Sequence, residues 1–321
     1  MRNELLRGVR RRGAALVGRP SAATPSWADA PAQRILVLGN CQTAGIAATL
    51  RCSLPGADVV PMMWPGRVTP DIVALAARAD VVVTTIGYDA GAALLTSAAS
   101  SARLIVVPQI YFAAFHPDIV HVPAPGGGEW SGLTRGYHSR LVLWGARTGA
   151  SAAEIVSWFR TDVFEALGYH ELWAHSMTLL GQAMTESDCD LGEWYLPLAG
   201  RGAFMLTDNH PRIDAIVQLG RSVALQLGAE RSRVEYDWER VIPDGLLATA
   251  EVWPLYPGLA ERLGLRGTYA WRLADGSMLD LDTFVDRSLA WYRSADQSAV
   301  DLEWFDADER LAAMPAAAGV R

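Results

Sequence analysis

From residue 34 to residue 107, short continuous apolar runs alternate with segments of helical character. Ile35–Leu38, Asp58–Met62, Asp80–Ile86 and Arg103–Val107 read as strands, and 43–52, 70–78 and 89–99 as helices. The strands are apolar throughout rather than alternating, as strands covered on both faces of a parallel sheet should be. Strand–helix repeats of this length predict an α/β fold, a doubly wound and mostly parallel sheet.

Beyond 107 the pattern changes. Residues 108–149 carry four prolines, the triplet Gly126-Gly-Gly128 and three histidines, and read as a long insertion without regular structure, the kind usually kept for function. Residues 151–187 read as two helices broken near Gly168. Ala203-Phe-Met-Leu206 reads as a late strand ending in Thr207-Asp-Asn-His-Pro211. Pro211 would open a helix over 211–227. An irregular, aromatic-rich stretch over 232–285 contains Trp238, Trp253 and Trp271, taken as core residues. Residues 283–313 read as helical. The expected organisation is an extension over 1–33, an α/β catalytic domain over 34–228, and a C-terminal helical and aromatic region over 229–321 packed on it.

Charge sharpens the division. Residues 1–33 hold six arginines against Glu4 and Asp29, a net of +4, which leaves −11 for the rest of the −7 total. The extension reads as mobile, with peripheral contact to an anionic membrane open to it through Arg10-Arg-Arg12. The acidic body argues against a nucleic-acid surface. All 28 basic residues are arginine, so no lysine can form a Schiff base or complete a phosphate loop. Three cysteines without a CxxC pair suggest a reducing, cytoplasmic setting. No apolar run reaches the length of a membrane span. The first strand–helix turn lacks the G-x-G-x-x-G spacing, which disfavours a nicotinamide enzyme.

Cys41 gives the chain its candidate chemistry. Leu38-Gly-Asn-Cys-Gln-Thr43 is the turn from the first strand into the first helix. Ligands of open α/β sheets bind at the carboxyl ends of the strands, and a helix N-terminus there favours a thiolate. Gly39 would allow a tight turn. Asn40, Gln42 and the local amides could line an oxyanion hole. The structural alternative is a small buried cysteine with no chemistry. A nucleophile needs a base, and His210 is expected at the same carboxyl edge, after the late strand, with Asp208 two residues before it. The alternative there is a helix start, with Asp208 or Asn209 as the cap. His116, after Tyr111, Phe112 and Phe115, is the second base candidate; its alternative is a loop held to the core by those aromatics. His138 is weaker, and His170 and His175 read as structural. No metal site is expected.

Four segments together resemble one family: Leu38-Gly-Asn-Cys-Gln42, Pro108-Gln-Ile-Tyr-Phe with His116-Pro-Asp118, Asp208-Asn-His-Pro211, and the run from Trp253-Pro-Leu-Tyr256 to Gly267-Thr-Tyr269. The chain is similar in these to the WcbI family of polysaccharide-biosynthesis enzymes over about residues 34–296. The resemblance implies an acetyltransferase that uses coenzyme A to O-acetylate a sugar of a bacterial capsular polysaccharide. It implies a flavodoxin-like sheet similar to that of the SGNH hydrolases, with Cys41 in the place of the serine and Asp208-Asn-His210 as the late acid–histidine motif. Acetyl-CoA and a sugar or glycan acceptor would be the partners. Cys41 would take the acetyl group, or the acceptor hydroxyl would attack directly, with His210 or His116 as base. Gly39 and Gln109 would line the cofactor site, and arginines would hold its phosphates, with Arg67, Arg135 and Arg212 as candidates. A carbohydrate esterase or thioesterase on the same sheet, and a non-catalytic subunit of a glycan-assembly complex, are the competing readings.

Overall fold

The computed structural model describes residues 33–244, 251–296 and 300–314. Apart from Gln33, the expected arginine-rich extension and its membrane contact lie outside the described residues. Residues 33–106 run β1 (Gln33–Gly39), α1 (Thr43–Ser53), β2 (Ala57–Met63), α2 (Pro70–Ala76), β3 (Val81–Thr84), α3 (Tyr88–Ser97) and β4 (Arg103–Val106). The strands form one parallel sheet in the order β2-β1-β3-β4, which is the α/β architecture that the apolar strands predict.

Both faces of the sheet are covered, which is why the middle of its strands is continuously apolar rather than alternating. Leu36 and Leu38 of β1 join Val60, Val82, Ile72 and Leu75 of α2, and Leu94 of α3, in one buried cluster. The alternate residues Ile35 and Val37 are equally buried and face the other side. There α1 lies on β1 and β2 and is backed by the helix Ile213–Gln226. That second helix comes so close that a Cβ on Gly220 would sit 2.5 Å from Thr49 Cβ. Helix α1 connects β1 to β2 on one side of the sheet, and α2 connects β2 to β3 on the other. The carboxyl ends of β1 and β3 therefore form the topological switch point, where such sheets bind ligands.

The described chain clusters into two compact units. The first takes the described residues of 1–109, 182–199 and 212–247, and the second those of 110–181, 200–211 and 248–321. Residues 110–181 and 200–211, read from sequence as part of one continuous 34–228 domain, thus cluster with the C-terminal third.

The second unit is organised around a buried carboxylate. Asp118 is fully buried and accepts hydrogen bonds from Ser139 Oγ (2.6 Å), Tyr169 Oη (2.8 Å), Tyr256 Oη (2.8 Å) and the Leu141 amide (3.1 Å). Burial raises its pKa, and the four donors oppose that rise. Two of the three tryptophans expected as core are so: Trp253 and Trp271 are buried, and Trp271 stacks on Phe284 at 4.0 Å, whereas Trp238, in the first unit, is only half-buried. The second unit also corrects several expectations. The 108–149 stretch is not structureless. It holds a 3-10 turn at Ala113–Phe115, an antiparallel pairing of Ile119–Val120 with His138–Ser139, and the helix Arg140–Thr148. That helix forms because Ser139 Oγ accepts the Val142 amide at its start and Leu141, Val142 and Leu143 are buried.

The late strand at 203–206 does not form. Met205 makes one antiparallel bridge, to Pro211, because the Leu206 amide donates to the His210 carbonyl (2.7 Å) and closes 207–210 into a tight loop. Pro211 accordingly precedes the helix, which begins at Ile213 with Arg212 as its cap. The 151–187 segment breaks at Gly168 as expected, and again near 158–160. The C-terminal helix spans Leu281–Ser294, followed by two short helices at Glu303–Asp306 and Glu309–Ala312. Among the described residues, no helix is long and apolar enough to cross a membrane.

Candidate functional site

The Cys41 turn lies at the carboxyl end of β1, beside the end of β3. Asn40 organises it. Its side-chain carbonyl accepts the Gln42 amide (3.0 Å), its backbone carbonyl accepts the Thr43 amide (3.1 Å) and hydroxyl (2.8 Å), and its own amide donates to Thr85 Oγ1 (3.4 Å). The Gln42 amide, expected to serve an oxyanion, is thereby held by Asn40, and the Gln42 side chain is fully buried. Gly39 is required for a different reason from the one expected. Its φ is not positive, but a Cβ there would fall 2.0 Å from Thr85 Oγ1. Thr85, just beyond the apolar run of β3, is thus a neighbour of this turn, placed against Gly39 and Asn40. Gly39→Ala is expected to cost about 1–3 kcal/mol by overpacking. In a Thr85→Ala background urea unfolding should show a smaller cost, and an equal cost in both backgrounds would remove Thr85 as the obstacle.

Cys41 is half-buried. Burial raises its thiol pKa, and this outweighs the opposing pull of the Cys41 and Gln42 backbone amides. The thiolate expected at a helix N-terminus is thus not the resting form; Cys41 rests as a thiol. Arg67 is exposed in the loop after β2, and Gln109 is exposed three residues beyond β4, so both follow strands that run parallel to β1. Arg212 is paired with Asp244 at 3.0 Å. Arg135 belongs to the second unit, where its Nε lies 3.5 Å from buried Glu251. Both are thereby partly neutralised as phosphate ligands.

The histidines expected as bases all fall in the second unit. His116 is 3% exposed, and its two ring nitrogens lie 3.4 Å from the carbonyls of Pro254 and Met205. Burial lowers its pKa to about 4. That is the setting of a packing histidine, and it follows from the aromatic cage of Phe115 and its neighbours. His138 is similar: its Nδ1 meets Tyr292 Oη and its Nε2 the Trp130 carbonyl, both at 2.8 Å, and burial lowers its pKa to about 4.

His210 stands in a denser polar setting. Its Nδ1 lies 2.5 Å from Tyr137 Oη, 2.8 Å from Asn209 Oδ1 and 3.3 Å from Thr207 Oγ1. Burial lowers its pKa, with Asp208 and Glu129 opposing, so it is neutral near pH 7 and able to accept a proton. Asp208 does not orient it. The buried Asp208 carboxylate instead meets His121 Nε2 at 2.8 Å, while Glu129 lies 2.8 Å from His121 Nδ1. Burial disfavours the His121 cation, but the two carboxylates outweigh it and raise its pKa. His121 carries no local motif that would mark it, since neither of its partners lies beside it in sequence. Among the described residues no group of His, Cys, Asp and Glu converges in a way that could hold a metal ion.

A family model described as the polysaccharide biosynthesis enzyme WcbI matches residues 34–232. No curated protein matches the chain significantly. A solved structure of WcbI, described as a novel polysaccharide biosynthesis enzyme in its native form without a disulfide bond between coenzyme A and one of its cysteines, is similar with a TM-score of 0.68. The similarity spans 87% of this chain and 97% of that one at 14% identity, and is a likeness of fold.

Proposed function

The chain belongs to the WcbI family of polysaccharide biosynthesis enzymes, and on that premise we propose that it is a coenzyme A-dependent O-acetyltransferase acting on a sugar of a bacterial surface polysaccharide. The observation that carries the proposal is the half-buried Cys41 in the turn at the β1/β3 switch point. The similar fold supports it, since the description of that protein names coenzyme A together with a cysteine.

The residues at this edge suit such a ligand. Asn40 and Thr85 supply polar groups, and Arg67 is an exposed cation for phosphate. Acetyl-CoA supplies an activated acetyl thioester. Cys41, at rest a thiol, must lose its proton to act as nucleophile, so it either carries the acetyl group after deprotonation or lines the site while an acceptor hydroxyl reacts directly. In either route the acceptor hydroxyl loses a proton, and His210 is the neutral base to take it.

Oxidised coenzyme A tests the cofactor assignment directly. Attack by Cys41 on the disulfide releases one coenzyme A thiol and leaves a mixed disulfide on the protein. Intact mass is expected to rise by one coenzyme A less two hydrogens in wild type, and to stay unchanged in Cys41→Ser, which still contains Cys52 and Cys189. A thermal shift with coenzyme A should accompany it. Labelling of the Cys41→Ser protein to the same extent, with no thermal shift, would sink the assignment. Acetylated sugar rather than free acetate from acetyl-CoA separates transfer from hydrolysis.

A further inference from the structure

We propose that Asn209 and Tyr137 are positioning residues that hold His210 as the tautomer with its proton on Nδ1, so that Nε2 is the basic nitrogen. The mechanistic use of this tautomer rests on the acetyltransferase reading above. The tautomer itself depends only on groups within the second unit.

The case is one of counting protons. Asn209 Oδ1 is a carbonyl oxygen and can only accept. It receives the Tyr137 hydroxyl at 2.7 Å and the Thr207 hydroxyl at 3.2 Å. His210 Nδ1 lies 2.8 Å from the same oxygen. Without a proton on Nδ1, two lone pairs would face each other at that distance. With the proton there, each of the three contacts to Asn209 Oδ1 has a donor. Nδ1–H is shared between Asn209 Oδ1 and Tyr137 Oη, Tyr137 donates to Asn209, and Thr207 donates to Asn209 while its oxygen accepts the His210 amide at 3.1 Å. Placing the imidazole proton on Nε2 lets Tyr137 donate to Nδ1 but restores the opposed pair at Asn209.

Each member is held in place. Asn209 precedes His210 in the loop closed by Leu206 and the His210 carbonyl. Tyr137 is buried and touches His121 and His210 edge-on, with ring centroids at 5.4 and 6.1 Å. Burial keeps its phenol protonated and thus a donor. Asp208 is turned to His121, so the histidine is oriented by an amide and a phenol, neither of which carries charge. A neutral partner fixes the tautomer without raising the imidazole pKa as a carboxylate would.

Long-range proton–nitrogen correlation on the full chain with 15N-labelled histidine reads the tautomer, with His210 assigned by its loss in His210→Gln. The expected result in wild type above the His210 pKa is Nδ1 protonated and Nε2 bare. Asn209→Ala and Tyr137→Phe should shift His210 toward the Nε2–H form. Asn209→Asp, which keeps an acceptor oxygen, should retain Nδ1–H and raise the His210 pKa. In acetyl transfer, Asn209→Ala should lower kcat on the order of tenfold with KM for acetyl-CoA unchanged, and Asn209→Asp should restore most of it. A wild-type Nε2–H tautomer, as an inverted Asn209 amide would produce, overturns the proposal. So does an Nδ1–H form that survives both Asn209→Ala and Tyr137→Phe. If the tautomer responds as expected but wild type transfers no acetyl group, the positioning stands and the acetyltransferase reading falls.

Discussion

His210→Gln is expected to slow acetyl transfer by about 10²–10⁴-fold, the usual contribution of a general base. Glutamine keeps a polar group beside Tyr137 and Asn209 but cannot take a proton. The KM for acetyl-CoA should change little, because the role proposed for His210 is to take the acceptor's proton rather than to hold the cofactor. His116→Gln should behave in the opposite way. Its ring is packed between two carbonyls, so the substitution should lower stability and leave the rate per folded molecule nearly intact. The measurement is coenzyme A thiol released from acetyl-CoA with a glycan acceptor present, alongside thermal unfolding of each variant. If His116→Gln abolished turnover without loss of stability while His210→Gln remained active, the base would be misassigned.

The second large effect is acid lability. His116 and His138 are 3% and 1% exposed, and burial lowers both pKa values to about 4. In the unfolded chain each titrates near its ordinary value of about 6.5. Above that pH both states are neutral and stability is complete. Between about 6.5 and 4 the unfolded chain takes up protons that the native state refuses, so stability falls as pH falls. Each histidine accounts for about 3 kcal/mol over this window, and the pair approaches the whole stability of an ordinary domain. Three groups act in the opposite sense. His121, Asp118 and Glu251 have raised native pKa values, so their contributions are present at low pH and decline as pH rises through those values. Urea unfolding at pH 7.5, 5.5 and 4.5 should show the midpoint dropping steadily, and dropping less in His138→Gln. A midpoint independent of pH across that range would contradict the burial of both rings as neutral groups.

The sheet was legible because strands buried on both faces leave an uninterrupted apolar signature, and the Cys41 turn was legible because it joins such a strand to a helix. The side-chain pairings were not. Asp208 and Asn209 are adjacent, and nothing local distinguishes which of them faces His210; the choice is made by Tyr137 and His121, which arrive from a distant loop. His121 drew no notice because it stands between Val120 and Val122 in a short apolar run, while its carboxylates come from Glu129 and Asp208. The late strand fails to form for a related reason. Ala203–Leu206 has strand composition, but its backbone partners are the loop residues that follow it. Arg135 and Arg212 looked available for phosphate because their acidic partners, Glu251 and Asp244, are remote in sequence.

The four donors gathered by Asp118 bear on how the chain is made. Ser139, Leu141, Tyr169 and Tyr256 reach the carboxylate from both sides of segments that belong to the other unit. On the ribosome the four parallel strands emerge within the first third of the chain, yet Asp118 must wait for Tyr256 before its shell is closed. The second unit is therefore the late step of biogenesis, with long loops to close. A chain that ends before Tyr256 would carry all four strands but leave the Asp118 carboxylate short of one donor, a species for chaperones to hold.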